Sequence, residues 1–343
     1  MNQVNLRRLA DLHAHFRFDN LLQSVLPHTA RYCRYGVAMP NLAPPVCTGD
    51  QMLHYLEAIN AVLASMPERT DFEPLMTIYI NDDTTPEMVR HAAKAGAVAG
   101  KIYPAGVTTN SATGLRDWGA SQFRESLQAM TECGLLLLIH GEKDEERVLV
   151  TDREARFMET FYDVVEDNPN LKIVFEHAST KVAIDTVASM NENVAATITA
   201  HHLVLTLNDV IGSSIQPHNM CMPVAKGFED RDALRQAATS GNPKFFLGSD
   251  SAPHLREKKE CARGACGAYT APILPELLAH IFEDLGALPK LDDFASRFGP
   301  EFYGLPVPTG SLTLVNEEWQ VPAEYNGIVP FWAGETLRWK LLT

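Results

Sequence analysis

The chain has 343 residues, of which 45% are hydrophobic and 21% charged, a composition typical of a globular protein rather than a disordered one. Its formal net charge of −14 argues against nucleic acid or an anionic membrane surface as a partner held by bulk charge. The longest apolar run, residues 134–139, is far shorter than the roughly 20 residues of a membrane-spanning helix. No basic-then-apolar leader precedes the first predicted strand, so we expect a cytoplasmic protein.

Eight short apolar runs that end in polar residues alternate with helical patterns along the chain. We predict strands at residues 9–15, 35–41, 74–82, 97–104, 134–140, 171–177, 194–202 and 243–250. Helices are predicted between them, including residues 48–66, 85–96 and 152–169. Continuous apolar strands that alternate with helices indicate a parallel sheet covered by helices.

Eight such repeats in about 250 residues predict an α/β fold of the (β/α)8 TIM barrel type. A doubly wound open sheet is the alternative, but no GxGxxG loop follows the first strand, which disfavours its dinucleotide-binding version. From about residue 305 the chain has the pattern of a few strands that pack on the outside of the barrel. No linker marks a second domain, so we expect residues 1–343 to form one domain.

The six cysteines form no CxxC pair, which predicts reduced thiols in a cytosolic protein of this size. Cys133 precedes an apolar run, so we expect its side chain to fill part of the core.

Side chains that can bind metal lie at the C-terminal ends of five predicted strands, where the chemistry of such barrels gathers. His13 and His15 have the i, i+2 spacing that points both imidazoles to one face of a strand. An isolated His-x-His is more often structural than metal-binding. Nitrogen and oxygen donors from separate strand ends, however, meet at one point in a barrel and suit zinc. The candidate ligands are His13, His15, Lys101, His140, His177 and Asp250.

Lys101 needs an explanation of its own, because an ammonium group would be repelled by a divalent cation. Burial can lower the pKa of a lysine and leave a neutral amine that takes up CO2 as a carbamate. The two carbamate oxygens can bridge two metal ions, so we predict that Lys101 is shared between them. A Schiff-base lysine is the alternative, against which the histidine cluster argues. The remaining ligands divide into His13, His15 and Asp250 for one ion and His140 and His177 for the other.

Ordered motifs along nearly the whole chain resemble those of the amidohydrolase superfamily and, more closely, of the bacterial-type dihydroorotases of pyrimidine synthesis. In chain order they are HAHFR, MPN, GKIYPAGVTTNS, IHGE, DREARF, FEHAS, TAHHL, GSDSAPH, FGPEFYGLP and FWAGET. The sequence departs from the family pattern at LADL before the first histidine and at CARGACGAY, residues 261–269.

The resemblance implies reversible interconversion of N-carbamoyl-L-aspartate and L-dihydroorotate by a homodimer. It also implies two zinc ions per subunit, held by the six ligands named above, with a CO2-derived carbamate on Lys101. Asp250 is then the catalytic residue, which takes a proton from the attacking water and passes it to the ring nitrogen.

Arg17, Asn41 and His254 resemble the residues that hold the α-carboxylate of the substrate. The planar guanidinium of Arg17 suits a carboxylate because it donates two hydrogen bonds at once. Asn41 also fits a turn, because PNLAPP is turn-forming sequence.

The backbone around Met222 and Cys266 resembles the segments that contact the pyrimidine ring. Thr108 and Thr109 lie in AGVTTNSATG, which resembles the family's mobile loop and reads by itself as a polar surface loop.

Two other functions stay open at this point. Hydantoinases and allantoinases share the His-x-His pair, the lysine and the aspartate, but the three carboxylate-binding residues favour an acidic substrate. A non-catalytic relative would normally lack metal ligands, and none is missing here. His201 and His202 are predicted to be structural or to lie behind the ligands, since the six ligands already complete two sites.

Overall fold

The computed structural model of the chain describes residues 2–68 and 70–342. In chain order its strands are β1 (Gln3–Arg7), β2 (Leu9–Ala14), β3 (Cys33–Ala38), β4 (Glu73–Ile80), β5 (Ala99–Ile102), β6 (Leu136–His140), β7 (Ile173–Glu176), β8 (Val194–Ile198), β9 (Phe245–Leu247), β10 (Ser311–Gln320) and β11 (Thr336–Leu341). The α-helices are α1 (Asp19–Ala30), α2 (Gly49–Ser65), α3 (Pro86–Lys94), α4 (Ser121–Cys133), α5 (Arg153–Asp167), α6 (Lys181–Ser189), α7 (Asn208–Ile211), α8 (Phe228–Thr239), α9 (Arg256–Lys259), α10 (Leu274–Asp284) and α11 (Phe298–Tyr303).

Within the described residues, strands β2 to β9 form one parallel eight-stranded sheet in which neighbours follow chain order. The predicted TIM barrel is therefore confirmed, and each predicted strand contributes one barrel strand. The observed strands are mostly shorter than predicted. β8, for example, ends at Ile198, although residues 199–202 are also buried. Residues 199–202 stay buried beyond the last hydrogen bond of the strand because they lie at the end of the barrel.

Local signals explain where the predicted helices begin. Thr48 precedes α2 and forms a capping box with Gln51. Thr85 caps α3, whose first residue is Pro86, the position at which proline costs no backbone hydrogen bond. These helices pack on the outside of the sheet and leave its C-terminal edge free for the loops.

The barrel interior is filled by apolar side chains at the end opposite to the strand C-termini. Leu12, Leu138 and Phe246 are buried there, together with Phe298 of α11. A Cβ atom on Gly299 would lie 2.2 Å from the Cδ1 of Leu12, so only glycine lets α11 approach this closely. The packed interior confines any cavity to the other end of the barrel.

The first and last barrel strands meet beside the predicted ligands. The Asp250 N–H donates to the His13 carbonyl at 2.8 Å, and the His15 N–H donates to the Ser251 carbonyl at 3.1 Å. Ala14 and Ser251 also form a parallel β-bridge. Closure of the barrel therefore fixes His13 and His15 next to Asp250.

A second sheet of antiparallel strands in the order β1–β10–β11 lies outside the barrel. This agrees with the prediction of strands beyond residue 305, but β1 was not predicted. Leu6 of β1 pairs with Leu312 of β10. Trp339 of β11 is fully buried and donates from its indole N–H to Glu283 of α10 at 3.1 Å, which attaches the sheet to that helix.

The predicted burial of Cys133 is wrong, since this last residue of α4 is exposed and the chain turns away at Gly134 in a left-handed conformation. All six cysteines are free thiols, as expected. Among the described residues, no helix has both the length and the apolar character needed to cross a membrane.

Truncation of Trp339 tests the attachment of the second sheet. We expect Trp339→Ala to lower the free energy of unfolding by about 3–5 kcal/mol, because the change empties a fully buried site. Lys340→Ala is the matched control, since this half-exposed neighbour pairs with Glu317 at the surface and the change should cost less than about 1 kcal/mol. Urea denaturation of both variants measures the difference, and equal losses would contradict the assignment.

Candidate active site

A small cavity lies at the C-terminal ends of the barrel strands. It is lined by His13, His15, Arg17, Asn41, Tyr103, Thr108, Thr109, His140, His177, Met222, Asp250, Ala252, Cys266 and Gly267. Every predicted site residue except Lys101 and His254 is in this set. A larger cleft of about 920 Å³ lies between α1 and α2, but no histidine, lysine or cysteine is among the described residues that line it.

Three predicted ligands form a compact group on the seam of the barrel. The ligand atoms of His13, His15 and Asp250 all lie within 4.8 Å of one another. The Asp250 Oδ1 is 2.9 Å from the His15 Nε2 and 3.4 Å from the His13 Nε2. Two imidazoles and a carboxylate that converge in this way suit a zinc ion.

The other two histidines form a second group at the ends of β6 and β7. The Nδ1 of His140 lies 3.1 Å from the Nε2 of His177. The rings of His13 and His177 are also neighbours, with centroids 5.0 Å apart, so the two groups adjoin. His13, His15 and Asp250 therefore form one group of possible ligands, and His140 and His177 form a second group beside it.

Two buried glutamates behind these histidines were not predicted. The Glu176 Oε2 is 2.6 Å from the His13 Nδ1, and the Glu142 Oε2 is 2.7 Å from the His140 Nε2. Because an ionised carboxylate only accepts hydrogen bonds, each histidine donates to its glutamate and keeps a lone pair on the nitrogen that faces the cavity. The motifs FEHAS and IHGE contained the signal, since each has a glutamate within two residues of a ligand.

Four buried nitrogen atoms of the predicted ligands have no hydrogen-bond partner among the described residues: the His13 Nε2, the His15 Nδ1, the Lys101 Nζ and the His177 Nδ1. Lys101 is fully buried, and its Nζ lies 4.9 Å from the centre of the Tyr103 ring. The lone pair of the His13 Nε2 faces the Asp250 carboxylate, and the Lys101 amine is buried without a partner. Both features fit a metal-binding site with a carbamylated lysine. The residues present therefore fit the predicted metal centre.

Burial governs the titration of the charged groups. It lowers the pKa of Lys101 to about 8, although Glu176 and Asp250 oppose this shift. It raises the pKa of Asp250, against the opposing effects of His13 and Lys101. The pKa of His15 is well below its usual value because of burial and the nearby positive charge of Arg17. A neutral imidazole and a partly neutral lysine are the forms needed for metal binding and for reaction with CO2.

The residues predicted to hold a carboxylate include Arg17 and His254, which are neighbours. The Arg17 Nε donates to the Pro253 carbonyl at 3.2 Å, and its Nη2 is 3.1 Å from the His254 Nε2. Burial and Arg17 lower the pKa of His254 to about 3, so this imidazole is neutral. The same His254 nitrogen lies 3.1 Å from the Cys266 carbonyl. His254 therefore reaches the cavity wall through Arg17 and Cys266 rather than lining it directly.

The predicted mobile loop lies across the mouth of the cavity. The Asn41 side-chain amide donates to the Thr109 carbonyl at 3.1 Å, and the Asn110 side chain donates to the Asn41 carbonyl at 2.9 Å. The Thr109 hydroxyl is 3.5 Å from the Cys266 carbonyl. The loop in this position shields the cavity from solvent.

A further group of possible ligands, His201, His202 and Cys221, is buried close by. The His202 Nε2 is 2.9 Å from the Pro223 carbonyl, and its Nδ1 is 2.9 Å from the Thr199 hydroxyl. A carbonyl only accepts, so the Nε2 donates and the Nδ1 accepts. His202 thus has no free lone pair for a metal, in agreement with a structural role.

The chain is similar to known proteins of one family. The model of the amidohydrolase family matches residues 9–314. A curated dihydroorotase of Shewanella pealeana is 47% identical over 349 residues, which cover 100% of both chains. The crystal structure of dihydroorotase from Saccharomyces cerevisiae in complex with 5-fluoroorotic acid has a TM-score of 0.91 at 35% identity and covers 100% of this chain and 99% of that one. Dihydroorotase from Campylobacter jejuni has a TM-score of 0.91 at 36% identity and covers 100% and 98%.

The role of Glu176 behind His13 can be tested through metal affinity. We expect Glu176→Gln to weaken zinc binding by roughly 10- to 100-fold, because a neutral amide oxygen accepts a weaker hydrogen bond from the His13 Nδ1 than a carboxylate does. Glu159→Gln on the exposed face of α5 is the matched control and should leave the affinity unchanged. Competition with a chromogenic chelator measures both values. Equal zinc affinities for the two variants would contradict the role of Glu176.

Proposed function

The chain belongs to the amidohydrolase family and, within it, to the dihydroorotases, which are hydrolases, and we propose that it interconverts N-carbamoyl-L-aspartate and L-dihydroorotate. The observation that carries the proposal is the position of Arg17 in the same cavity as Asp250 and the histidine cluster. A guanidinium at this place can hold a carboxylate while the neighbouring amide bond reacts. Neutral cyclic amides offer nothing to pair with this charge.

We further propose that two zinc ions bind per subunit, one to His13, His15 and Asp250 and one to His140 and His177. Carbamylated Lys101 is shared between them. The donor set, the buried unpartnered amine and its lowered pKa support this assignment. When bound, such ions polarise a carbonyl oxygen and lower the pKa of water.

The residues of the chain have separate tasks in the proposed reaction. Arg17, Asn41 and His254 hold the α-carboxylate and orient the ring in the cavity. The loop with Thr108 and Thr109 excludes bulk water. In hydrolysis, the oxygen of water bonds to the ring carbonyl carbon and the bond from that carbon to the ring nitrogen breaks.

Asp250 handles the proton in both directions. In hydrolysis its carboxylate accepts one proton from the attacking water and passes it to the leaving ring nitrogen, and it then accepts the second water proton as the new carboxyl group ionises. In ring closure the protonated acid gives its proton to the departing carboxyl oxygen and then transfers the proton lost by the attacking nitrogen to the same oxygen, so that water leaves. Asp250 is suited to this exchange because burial raises its pKa above the usual range.

A homodimer in the cytoplasm completes the proposal. Both features rest on the similarity to curated dihydroorotases over the full chain.

The test of this function is an assay with L-dihydroorotate that follows the loss of ring-amide absorbance. We expect turnover with L-dihydroorotate and at least roughly 100-fold lower kcat/KM with dihydrouracil, the same ring without the carboxylate, because Arg17 then lacks its partner. Lys101→Ala should abolish turnover, while Lys94→Ala at the exposed end of α3 should not.

Carbamylation has an independent readout in the same proteins. Carbon-13 bicarbonate should give a carbamate signal by NMR in the wild type and in Lys94→Ala but not in Lys101→Ala. Preference for dihydrouracil would move the function to a hydantoinase-like activity.

The pH dependence should differ between the two directions because Asp250 starts each in a different protonation state. Ring closure needs the protonated acid, so its rate should fall as the pH rises through the Asp250 pKa. Hydrolysis needs the carboxylate, so its rate should rise over the same range. Initial rates measured in both directions across one pH series check this. Parallel profiles would exclude Asp250 as the proton carrier.

A further inference from the structure

We propose that Lys259 is a positioning residue for the substrate ring, because its buried ammonium joins the two backbone segments that face the ring. This inference rests on the proposed function and concerns a residue that does not itself line the cavity. The two segments are residues 220–222 and 266–267, which contribute Met222, Cys266 and Gly267 to the cavity wall.

Lys259 differs from its neighbours on the short helix α9. Its exposed fraction is only 4%, whereas Glu257 and Lys258 are exposed. Its Nζ donates to the Met220 carbonyl at 3.2 Å and also to the Gly267 carbonyl. The ammonium therefore connects one residue on each side of the cavity wall.

The same two residues are also bonded directly, since the Gly267 N–H donates to the Met220 carbonyl at 2.8 Å. Gly267 cannot be replaced easily, because its φ is +149° and an added Cβ atom would lie 2.5 Å from the Ala252 carbonyl oxygen. The backbone here has one close-packed arrangement, and Lys259 satisfies the carbonyl groups that this arrangement buries.

No carboxylate forms an ion pair with Lys259 among the residues that the structure describes. Burial lowers its pKa to about 8. A buried ammonium that is neutralised only by carbonyl dipoles costs stability, and groups of this kind concentrate at functional sites. We infer that Lys259 is buried at this cost in stability because it holds the two segments in place beside the ring.

The effect of Lys259 reaches two other parts of the cavity through Cys266. The Cys266 carbonyl is 3.1 Å from the His254 Nε2 and 3.5 Å from the Thr109 hydroxyl. A shift of residues 266–267 would therefore disturb the contacts with the ring, the position of His254 and the position of the loop with Thr109. The zinc ligands lie on other strands and would keep their positions.

The experiment compares Lys259→Met with Lys258→Met, which removes an exposed ammonium from the adjacent residue of the same helix. We measure KM and kcat with L-dihydroorotate, the Kd for 5-fluoroorotic acid by calorimetry, and the zinc content. For Lys259→Met we expect KM and Kd to rise roughly tenfold or more, since hydrogen bonds from a charged donor are lost. kcat should change less than KM, and the zinc content should equal that of Lys258→Met.

Each contrary result overturns the proposal. Equal KM and Kd values for the two variants would show that Lys259 does not position the ring segments. A loss of zinc in Lys259→Met would assign the residue to the metal centre instead. If Lys259→Met does not fold, Lys259→Gln, which keeps an amide donor, takes its place under the same criteria. A wild-type enzyme without dihydroorotase activity would overturn the proposed function and this inference together, whereas an active wild type with a normal Lys259→Met variant overturns this inference alone.

Discussion

The hydrogen bond from the Asp250 backbone to the His13 carbonyl closes the barrel, and the same contact places Asp250 beside the histidines of the first barrel strand in the candidate metal site. Asp11 strengthens this seam from below, where its carboxylate accepts from the Ser249 N–H at 2.8 Å and from the Ser249 hydroxyl at 2.6 Å. Fold closure and site assembly are thus one event. A barrel that failed to close would have neither the inner core nor a complete set of ligands.

Three residues of the candidate site have a strained backbone. Arg17, His177 and Asp250 have φ values of 62°, 41° and 45°, a region that side chains other than glycine seldom adopt. Each such residue costs of the order of 1–3 kcal/mol, so the surrounding contacts must hold it in place. The His177 N–H, for example, donates to the Thr197 hydroxyl at 2.6 Å. The left-handed turn directs each side chain from the end of a strand into the cavity.

The eight strands, and the gathering of the candidate ligands at one end of the barrel, could be predicted from the sequence because both follow from repeated local patterns: apolar runs, and polar residues where those runs end. Features that depend on distant partners could not. β1 needs β10 as its neighbour, some 300 residues further along the chain. Glu176 acts on one particular nitrogen of His13, which only the folded geometry specifies. Lys259 stands in the charged sequence REKKE and reads as a surface residue, yet it is buried.

The pairing of β1 with β10 also sets an order of events during synthesis. Leu6 leaves the ribosome long before its partner Leu312, and at roughly 5–20 residues per second the delay is about 15 to 60 s. The seam between β2 and β9 waits almost as long. Until then the nascent barrel has two open strand edges, which are the surfaces most prone to pair with another chain. Both edges therefore stay unpaired for most of the time that the chain takes to be synthesised.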